Sequence, residues 1–476
     1  MNKNYPNLLS PIKIGNRIYK NRIIMGPFTP PGAGQDVLNA MGMAWFEERA
    51  RGGAAQITMG ETAVDRLFGD RKNGGPVFIH PDPAAAPDDA PLQMSPHSIG
   101  NREAVMAIQR HGAKAAIEFA HLGMWNDPAT IFGHRNPIGP SDFDRADGVH
   151  VDAMTEEQID AVCEAYADSV SKAVGLGFDS VVVHGGHGWL QAQFLSPALN
   201  RRTDRFGGSL ENRARFPIMI LDRIRERVGN SILLEYRISG DELAEGGLRE
   251  DETMEFLQMI DDKVNLVHIS AGRYQDPVRT RTFPSIYEKH ACNRGLSAHA
   301  KRVLKTPVAV VGAITDPETA EELISNGEAD LVVMVKQLIA DPWYVRKLQD
   351  GRRDEIRPCI RCYGCMTAFP ELPPNLICSV NPTATREYLA ANWRPIPGKR
   401  RILVVGGGVA GMRAASTAAE NGHEVTLVEK TDSLGGILKF TDYDPVKEDM
   451  RRFRDHLKSM VERSGVKVLL NTEATP

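Results

Sequence analysis

Cysteine is scarce in this sequence, which contains six among 476 residues. Folds held together by disulfides need many cysteines spread through a short secreted chain, so the sequence excludes that class. Four of the six cysteines instead fall between positions 359 and 378. This clustering indicates a metal site in a reducing compartment.

Other absences limit the location and the partners of the protein. The sequence has no apolar run of roughly 18 residues, and the segment Met1–Asn7 is polar, without the apolar core of a signal peptide. The net charge is -4 and no basic tract stands out, which argues against a nucleic-acid partner. We therefore expect a cytoplasmic protein that acts on a small-molecule substrate and binds neither a membrane nor nucleic acid.

The dominant pattern is an alternation of short β-branched runs with longer amphipathic stretches, which is typical of parallel βαβ units. One stretch opens with Thr155, followed three residues later by Gln158, and this spacing predicts a capping box at a helix start. Eight strands with intervening helices predict an α/β fold, a (β/α)8 TIM barrel. The predicted strands are Arg22–Gly26, Ala55–Gly60, Lys114–Phe119, Ser180–His184, Ile232–Arg237, Leu266–Ser270, Val308–Gly312 and Asp330–Val335.

The pattern changes after the eighth strand. A cysteine segment and a proline-containing linker lead to a strand, a glycine turn, a helix and a second strand within residues 401–429. A nucleotide-binding α/β domain normally has more strands than follow here, so we expect an incomplete Rossmann-like domain. The predicted division is 1–350 for the barrel, 351–397 for the cluster segment and linker, and 398–476 for the start of an FAD- or NAD(P)-type domain.

The cysteine cluster comprises Cys359, Cys362, Cys365 and Cys378, separated by two, two and twelve residues. Four soft thiolate ligands suit an iron–sulfur cluster or zinc. Zinc sites more often pair two C-x2-C knuckles, whereas three cysteines in one run with a distant fourth favour iron and sulfur. We therefore predict a [4Fe–4S] cluster, with zinc as the alternative.

The catalytic groups of such a barrel come from the carboxyl ends of its strands. A phosphate site after strands seven and eight would use backbone amides near Gly312 and a cation, for which Lys336 is suitably placed. Arg237, at the end of a central strand, could stabilise negative charge on a reduced flavin. Other candidates at strand ends are Pro27, Phe28, Thr29, Gly60, Glu118, His184 and His187.

Three nearly continuous segments carry a family resemblance. Residues 184–190 read HGGHGWL, residues 193–197 read QFLSP, and residues 200–213 read NRRTDRFGGSLENR. These segments resemble the old yellow enzyme family. Together with the cysteines and a later glycine motif, they resemble its multidomain iron–sulfur flavoprotein branch, which includes 2,4-dienoyl-CoA reductase, 2-enoate reductase and trimethylamine dehydrogenase.

The resemblance implies FMN in the barrel and a role for individual residues. Thr29 would hydrogen-bond the flavin near O4 and N5, and Glu118 would lie at its pyrimidine edge, where ene reductases usually carry glutamine and the amine dehydrogenase carries glutamate. His184 and His187 would hold a substrate oxygen above the flavin. Lys336 departs from the usual arginine of the family but keeps the charge.

Trp189 is a second departure from the family, which commonly places a proton-donating tyrosine there. An indole N–H is a hydrogen-bond donor without useful acidity, so Trp189 cannot fill that role. Either another group donates the proton, for which Tyr274 and Asp276 in the loop after strand six are the catalytic candidates, or the reaction needs no such donor.

The glycine motif spans residues 406–411, between a predicted strand and helix, and Glu429 closes the next strand. Gly406, Gly408 and Gly411 would allow close approach to a pyrophosphate, and the carboxylate could bind ribose hydroxyls. Relatives in the resembling branch use this domain for FAD or for an adenine nucleotide such as ADP.

The leading hypothesis is NAD(P)H-dependent reduction of an activated C=C bond of the enoate, enone or dienoyl type, with electrons crossing the cluster to FMN. The alternative is an amine dehydrogenase or oxidative N-demethylase that passes electrons to an external carrier, which the cysteine spacing, Glu118 and Trp189 favour. A third hypothesis is an electron-transfer subunit whose second domain is completed by a partner chain.

Overall fold

A computed structural model describes residues 4–30, 38–64, 96–129, 131, 135–275, 281–365, 378–394 and 397–475. The chain divides into two compact units, Met1–Val335 and Lys336–Pro476. Within the described residues, every helix is either too short or too polar to span a lipid bilayer. The division into three segments at 350 and 397 stays a prediction.

The first unit is a barrel of parallel strands, and the predicted (β/α)8 fold is confirmed. All eight predicted strands are present. The strands of this unit are β1 (Ile12–Ile14), β2 (Arg17–Tyr19), β3 (Ile23–Met25), β4 (Gln56–Ala63), β5 (Lys114–Ala120), β6 (Ile138–Gly139), β7 (Phe143–Asp144), β8 (His150–Ala153), β9 (Ser180–His184), β10 (Leu233–Ser239), β11 (Leu266–Ser270), β12 (Val308–Val310) and β13 (Leu331–Met334). The barrel closes in the order β10-β11-β12-β13-β3-β4-β5-β9.

Helices follow the barrel strands. The predicted capping box is present at the start of the longest helix, where Thr155 Oγ1 accepts from the Gln158 N–H at 3.2 Å and Gln158 Oε1 accepts from the Thr155 N–H at 2.9 Å. The helices of the first unit are α1 (Ala40–Arg51), α2 (Pro96–Gln109), α3 (Glu156–Gly175), α4 (Leu190–Leu195), α5 (Leu210–Val228), α6 (Glu250–Met259), α7 (Arg294–Val303) and α8 (Pro317–Ser325), with a 3-10 turn at Gly123–Trp125.

The barrel strands are buried on both faces, as expected for a parallel sheet covered by helices. Buried polar groups of the barrel strands and of β2 hydrogen-bond one another. Glu235 accepts from Gln56 Nε2 at 3.2 Å and pairs with His268, and Tyr19 donates to Gln56 Oε1 at 2.6 Å. These side chains are fully or almost fully buried, so the network satisfies polar groups that water cannot reach.

The second unit contains a three-stranded parallel sheet whose strands pair in chain order. Its core includes Met412, Leu427 and Leu457, contributed by the helices and the central strand. The elements are α9 (Lys336–Ala340), α10 (Tyr344–Gln349), α11 (Glu387–Asn392), β14 (Arg401–Val405), α12 (Val409–Glu420), β15 (Glu424–Val428), α13 (Glu448–Arg463) and β16 (Lys467–Leu469), with 3-10 turns at Arg353–Glu355, Gly436–Asp442 and Pro445–Lys447.

Candidate active site

An ion pair joins two strands at the carboxyl end of the barrel. Arg237 on β10 donates from Nη1 to Glu118 Oε1 on β5 at 2.8 Å, and the side chains are 14% and 1% exposed. Burial raises the pKa of Glu118, and the charge of Arg237 opposes that rise. Burial lowers the pKa of Arg237, but the Glu118 carboxylate outweighs it and the pKa is raised overall. The two charges therefore compensate each other.

His184 and His187 form a directed chain of hydrogen bonds. The Gly186 N–H donates to His184 Nδ1 at 3.3 Å, so the proton of a neutral His184 ring lies on Nε2. That nitrogen lies 3.1 Å from His187 Nδ1, and His187 Nε2 lies 2.7 Å from Ser270 Oγ. Burial, and then the positive charge of Arg237, lowers the pKa of both histidines well below the ordinary value. Both rings are therefore neutral.

Two serines that the sequence analysis missed hold His187. Ser239, the last residue of β10, accepts from the His187 N–H at 3.0 Å, and Ser270 ends the neighbouring strand β11. His187 itself has a φ of 56°, in the left-handed region. The two serines end β10 and β11, close to Arg237 on β10. Because the carboxyl ends of neighbouring parallel strands meet at one edge, these positions could have marked both serines as candidates in the sequence.

Trp189 is anchored by Glu61, a carboxylate to which the sequence analysis assigned no role. Its Nε1–H donates to Glu61 Oε2 at 2.8 Å, and the same oxygen lies 3.8 Å from His184 Nε2. Ligand atoms of Glu61, Glu118 and His184 all lie within 4.8 Å of one another. Glu61 directly follows Gly60, so its place at the end of β4 was visible in the sequence, although its bond to Trp189 was not.

Tyr274 completes an aromatic group beside the histidines. Its ring centroid lies 4.7 Å from that of Trp189, 5.2 Å from that of His187 and 5.3 Å from that of Phe283. Burial raises the pKa of Tyr274, so the phenol keeps its proton. Asp276, the other predicted proton-transfer residue, lies outside the described residues.

The ends of β3 and β4 bring the predicted flavin-edge residues together. Thr29 donates from Oγ1 to the Gly60 carbonyl at 3.0 Å, and Phe28 stacks on Trp45 with ring centroids 5.3 Å apart. Gly60 has a φ of 133°, and a Cβ there would meet Glu118 atoms at 3.0 Å, so a larger residue does not fit. Pro27 is half-buried beside Phe28.

The predicted phosphate-site residues lie in different units. Gly312 has a φ of 145°, and a Cβ on it would lie 2.8 Å from Asn293 Nδ2 and 3.1 Å from Cys292 Sγ. Lys336 begins α9 in the second unit, where its Nζ lies 5.1 Å from the ring centroid of Tyr363. Their joint phosphate site stays a prediction.

The four cluster cysteines all lie in the second unit, with Cys359 buried, Cys365 and Cys378 half-buried and Cys362 exposed. Burial raises the pKa of Cys359 and Cys365 to about 12 and also raises that of Cys378. Buried thiols of this kind become thiolates when a metal binds them.

Backbone N–H groups donate to two of these sulfurs. The Arg361 N–H donates to Cys359 Sγ at 3.4 Å. Burial raises the pKa of Cys378, and backbone hydrogen bonds from Val380 and Asn381 offset part of that rise. N–H groups aimed at cysteine sulfurs are a feature of iron–sulfur sites, where they tune the cluster potential. The four soft donors and these amides fit a [4Fe–4S] cluster.

A buried glutamine supports the first cysteine. Gln337 on α9 accepts from the Cys359 N–H at 2.9 Å and donates to the Arg357 carbonyl at 2.9 Å. On the same helix, the Ile339 carbonyl accepts from Asn381 Nδ2 at 2.8 Å. Neither Gln337 nor Asn381 was predicted, because no spacing rule connects an amide side chain to a distant cysteine loop.

The glycine motif has the geometry of a tight strand-to-helix turn. Gly406 has a φ of 97°, and a Cβ on Gly411 would lie 1.8 Å from the Gly406 carbonyl oxygen. Gly408 is the N-cap of α12, and the Gly407 N–H donates to Glu429 Oε2 at 2.7 Å. The predicted carboxylate therefore lies beside the predicted turn.

Comparisons with known proteins agree with this arrangement. The chain matches the sequence profile of the NADH:flavin oxidoreductase / NADH oxidase family over residues 7–355 and that of FAD dependent oxidoreductases over residues 401–441. It is 35% identical over 472 residues to an NADH oxidase of Thermoanaerobacter brockii, which covers 98% of this chain and 69% of that protein.

Two solved structures resemble the whole chain. The complex of 2-naphthoyl-CoA reductase with 2-naphthoyl-CoA has a TM-score of 0.87 at 29% identity, covering 99% of this chain and 71% of that chain. Histamine dehydrogenase from Rhizobium sp. 4-9 has a TM-score of 0.85 at 27% identity, covering 99% and 67%. One of these names denotes a reductase and the other an amine-oxidising enzyme.

Proposed function

Because the chain belongs to the NADH:flavin oxidoreductase / NADH oxidase family, we propose that this flavin-dependent oxidoreductase reduces an activated carbon–carbon double bond with electrons from NAD(P)H. The predicted resemblance to the old yellow enzyme family is confirmed. The observation that carries the proposal is the hydrogen-bonded pair His184 and His187, held by Ser270 beside the Arg237–Glu118 ion pair.

The histidine pair suits a substrate carbonyl. When the β-carbon of an activated alkene receives a hydride, negative charge moves onto the conjugated oxygen, and a pre-oriented N–H donor stabilises that charge. His184 carries its proton on Nε2, which points at His187 Nδ1. A substrate oxygen bound there would replace His187 as the acceptor, and His187 would keep the ring of His184 oriented until it binds.

The described residues fit FMN at the carboxyl end of the barrel. Arg237 offers a cation, Thr29 a hydroxyl donor, and Gly60 a strand end without a side chain. Bound FMN would supply the hydride. The residues that we assign to it are Pro27, Phe28, Thr29, Gly60, Glu118, Arg237, Gly312 and Lys336.

The second unit would bring the electrons. We assign a [4Fe–4S] cluster to the four cysteines, where it would transfer one electron at a time. The glycine turn and Glu429 would hold FAD or ADP, with Gly406, Gly408 and Gly411 facing the pyrophosphate. In this proposal residues 1–350 bind FMN, 351–397 hold the cluster, and 398–476 belong to the nucleotide-binding region that receives electrons from NAD(P)H.

Oxidation of an amine is the second candidate, because two carboxylates and several aromatic rings border the histidines. Oxygen atoms of Glu61 and Glu118 lie within 4.8 Å of a His184 ring nitrogen, and Tyr274 lies beside Trp189. Carboxylates and aromatic faces attract an ammonium group. The amine-oxidising relative supports this candidate, in which electrons would leave through the cluster to an external carrier protein.

Anaerobic spectroscopy separates the two candidates. We expect purified protein to contain a flavin and about four iron atoms per chain; one zinc atom without iron would contradict the cluster. We further expect NADH to reduce the flavin and cinnamaldehyde to reoxidise it. If trimethylamine instead bleaches the oxidised flavin directly and the aldehyde does nothing, amine oxidation replaces ene reduction.

A further inference from the structure

A lysine and a tyrosine meet beside the cysteine loop of the second unit. Lys336, the first residue of α9, has its Nζ 5.1 Å from the ring centroid of Tyr363. Tyr363 lies between Cys362 and Cys365 in the chain, and both partners of the contact are half-buried. An ammonium within about 6 Å of an aromatic ring centroid is attracted to the ring face. The contact therefore holds a positive charge against the loop that carries the cluster cysteines.

The charge of Lys336 acts on two of these cysteines. Burial raises the pKa of Cys359 and of Cys365 to about 12, and the Lys336 ammonium is among the groups that oppose this rise. A cation opposes such a rise only when it lies close enough to favour the thiolate form. Lys336 therefore stabilises negative charge on the sulfurs, in addition to its contact with the tyrosine ring.

The backbone of α9 fixes where Lys336 lies relative to the cysteines. The next residue, Gln337, accepts from the Cys359 N–H at 2.9 Å, and the Ile339 carbonyl on the same helix accepts from Asn381 Nδ2 at 2.8 Å. Gln337 is 1% exposed and Asn381 is 2% exposed, so water does not compete for these bonds. The helix that carries the ammonium is thus tied to both cysteine-bearing segments.

Another cation of the loop is compensated by a carboxylate. Arg361 donates from Nε to Asp449 Oδ2 at 2.6 Å, and the side chains are 4% and 0% exposed. A buried carboxylate at this distance balances the guanidinium charge, whereas an aromatic ring attracts an ammonium without a formal charge of its own. The two contacts therefore have different consequences: the first fixes the loop, and the second leaves the charge of Lys336 to act on the sulfurs.

We propose that Lys336, held by Tyr363, stabilises the negative charge of the metal-bound thiolates and so raises the reduction potential of the [4Fe–4S] cluster. The inference rests on the proposed function, because it deepens the role of the cluster as an electron relay. Reduction adds one electron, and so one negative charge, to a site that already holds four thiolates, and a nearby cation favours that state. Tyr363 acts through Lys336 as a positioning residue.

A redox titration of the anaerobically purified protein tests the proposal. Dithionite supplies the electrons, and the electron paramagnetic resonance signal of the reduced cluster is followed against the electrode potential. We expect Lys336→Met to make reduction about tenfold less favourable, a shift of about 59 mV to more negative potential for a one-electron couple. A wild-type potential in Lys336→Met overturns the proposal.

Two further lysine variants are the controls. Lys336→Arg keeps the positive charge, so its equilibrium constant for reduction should stay within about threefold of the wild-type value. Lys399→Met removes a lysine charge from a side chain that is 69% exposed, where water screens it, and should not shift the potential. A shift in Lys399→Met as large as that in Lys336→Met would show an effect of net charge alone and would overturn the assignment to Lys336.

The role of Tyr363 is tested by a matched pair of variants. Tyr363→Phe keeps the aromatic face and should keep the wild-type potential, whereas Tyr363→Leu removes it and should shift the potential in the same direction as Lys336→Met. Equal potentials in the two tyrosine variants overturn the positioning role.

The flavin content of each variant separates this role from the phosphate contact that we predicted for Lys336. A residue that only binds the FMN phosphate would lower the ratio of flavin to protein in Lys336→Met and leave the cluster potential unchanged. That result overturns the proposal. A shifted potential at an unchanged ratio of flavin to protein supports it.

Cadmium keeps the charge effect testable if the purified protein holds no iron. Absence of iron would contradict the cluster in the proposed function, and it would leave open whether Lys336 acts on the thiolates. Cd²⁺ is then titrated into metal-free protein, and binding is followed by the thiolate-to-metal charge-transfer absorption. Four thiolates around one Cd²⁺ carry a net negative charge, so Lys336→Met should bind about tenfold more weakly than the wild type. Equal affinities overturn the charge effect.

Discussion

Gln337 accepts a hydrogen bond from the backbone N–H of Cys359 at 2.9 Å, and its amide group donates to the carbonyl of Arg357 at the same distance. The glutamine is 1% exposed, so water cannot replace either bond. The Gln337 side chain therefore fixes the backbone at Arg357 and at Cys359, on either side of Pro358.

We expect Gln337→Met to lower the iron content of anaerobically purified protein to less than half of the wild-type ratio of iron to flavin. The substitution preserves volume but leaves two buried backbone groups unsatisfied, at a cost of about 1–3 kcal/mol each. Gln349→Met, at an exposed glutamine of the same unit, is the matched control and should keep its iron. Equal ratios in both variants would contradict a supporting role for Gln337.

The two glycines Gly411 and Gly408 should respond differently to alanine. A Cβ on Gly411 would lie 1.8 Å from the Gly406 carbonyl oxygen, so Gly411→Ala should destabilise the second unit by about 1–3 kcal/mol or more. A Cβ on Gly408 meets no atom nearer than 3.9 Å, so Gly408→Ala should remain stable and lose only affinity for FAD or ADP. Urea unfolding and nucleotide titration measure the two effects, and the reverse pattern would refute the assignment.

Acid should destabilise the protein through His456. Burial, and then the charge of Arg357, lowers the pKa of His456 to about 3, and within the described parts of the chain neither ring nitrogen has a hydrogen-bond partner. At pH values below the ordinary histidine pKa of about 6.5, His456 binds a proton in the unfolded chain but stays neutral in the native protein. The free energy of unfolding therefore falls with decreasing pH, by up to about 1.4 kcal/mol per pH unit between about 6.5 and 3.

His456→Leu tests this dependence. Replacing a buried imidazole without hydrogen bonds by an apolar side chain should leave the free energy of unfolding at pH 7.5 unchanged or higher. The loss of stability between pH 6.5 and 5 should shrink by up to about 1.4 kcal/mol per pH unit. Urea unfolding at both pH values measures the difference, and an unaltered slope would falsify the assignment to His456.

Ser270 should influence catalysis through His187. Its hydroxyl oxygen lies 2.7 Å from His187 Nε2, so Ser270→Ala removes the acceptor that keeps the His187 proton on that nitrogen. We expect kcat/KM for an enal to fall about tenfold, the equivalent of one hydrogen bond of about 1.4 kcal/mol. Ser270→Thr keeps the hydroxyl and should restore most of the activity; similar kinetics in both variants would argue against an orienting role.

Much of the architecture was predictable because its signals are local. β-Branched runs separated by amphipathic stretches marked all eight barrel strands, and a threonine and glutamine three residues apart marked the start of α3. The glycine turn was equally visible, since Gly406 and Gly411 meet steric demands that glycine alone satisfies. In each case, residues close in sequence determine the conformation.

The contacts that define the site could not be predicted from the sequence pattern in the same way. Glu61 and Trp189 are 128 positions apart, and Ser270 lies 83 positions after His187. Barrel closure brings such strand ends together, and the direction in which each side chain points depends on packing that the sequence pattern does not encode. The rule that catalytic groups lie at the carboxyl ends of barrel strands indicated the region of the site. It did not predict which side chains would hydrogen-bond one another.

The sequence by itself determined that four cysteines fall between positions 359 and 378, that a parallel barrel precedes them, and that His184 and His187 stand at a strand end. Only the tertiary structure decided that those histidines share one hydrogen bond and are neutral, that the Trp189 indole is bonded to Glu61, and that Gln337 holds Cys359. The physical reason is that spacing fixes which residues a turn or a strand end presents. Burial, protonation and hydrogen-bond partners depend on strands and loops that are distant in the chain and adjacent only after folding.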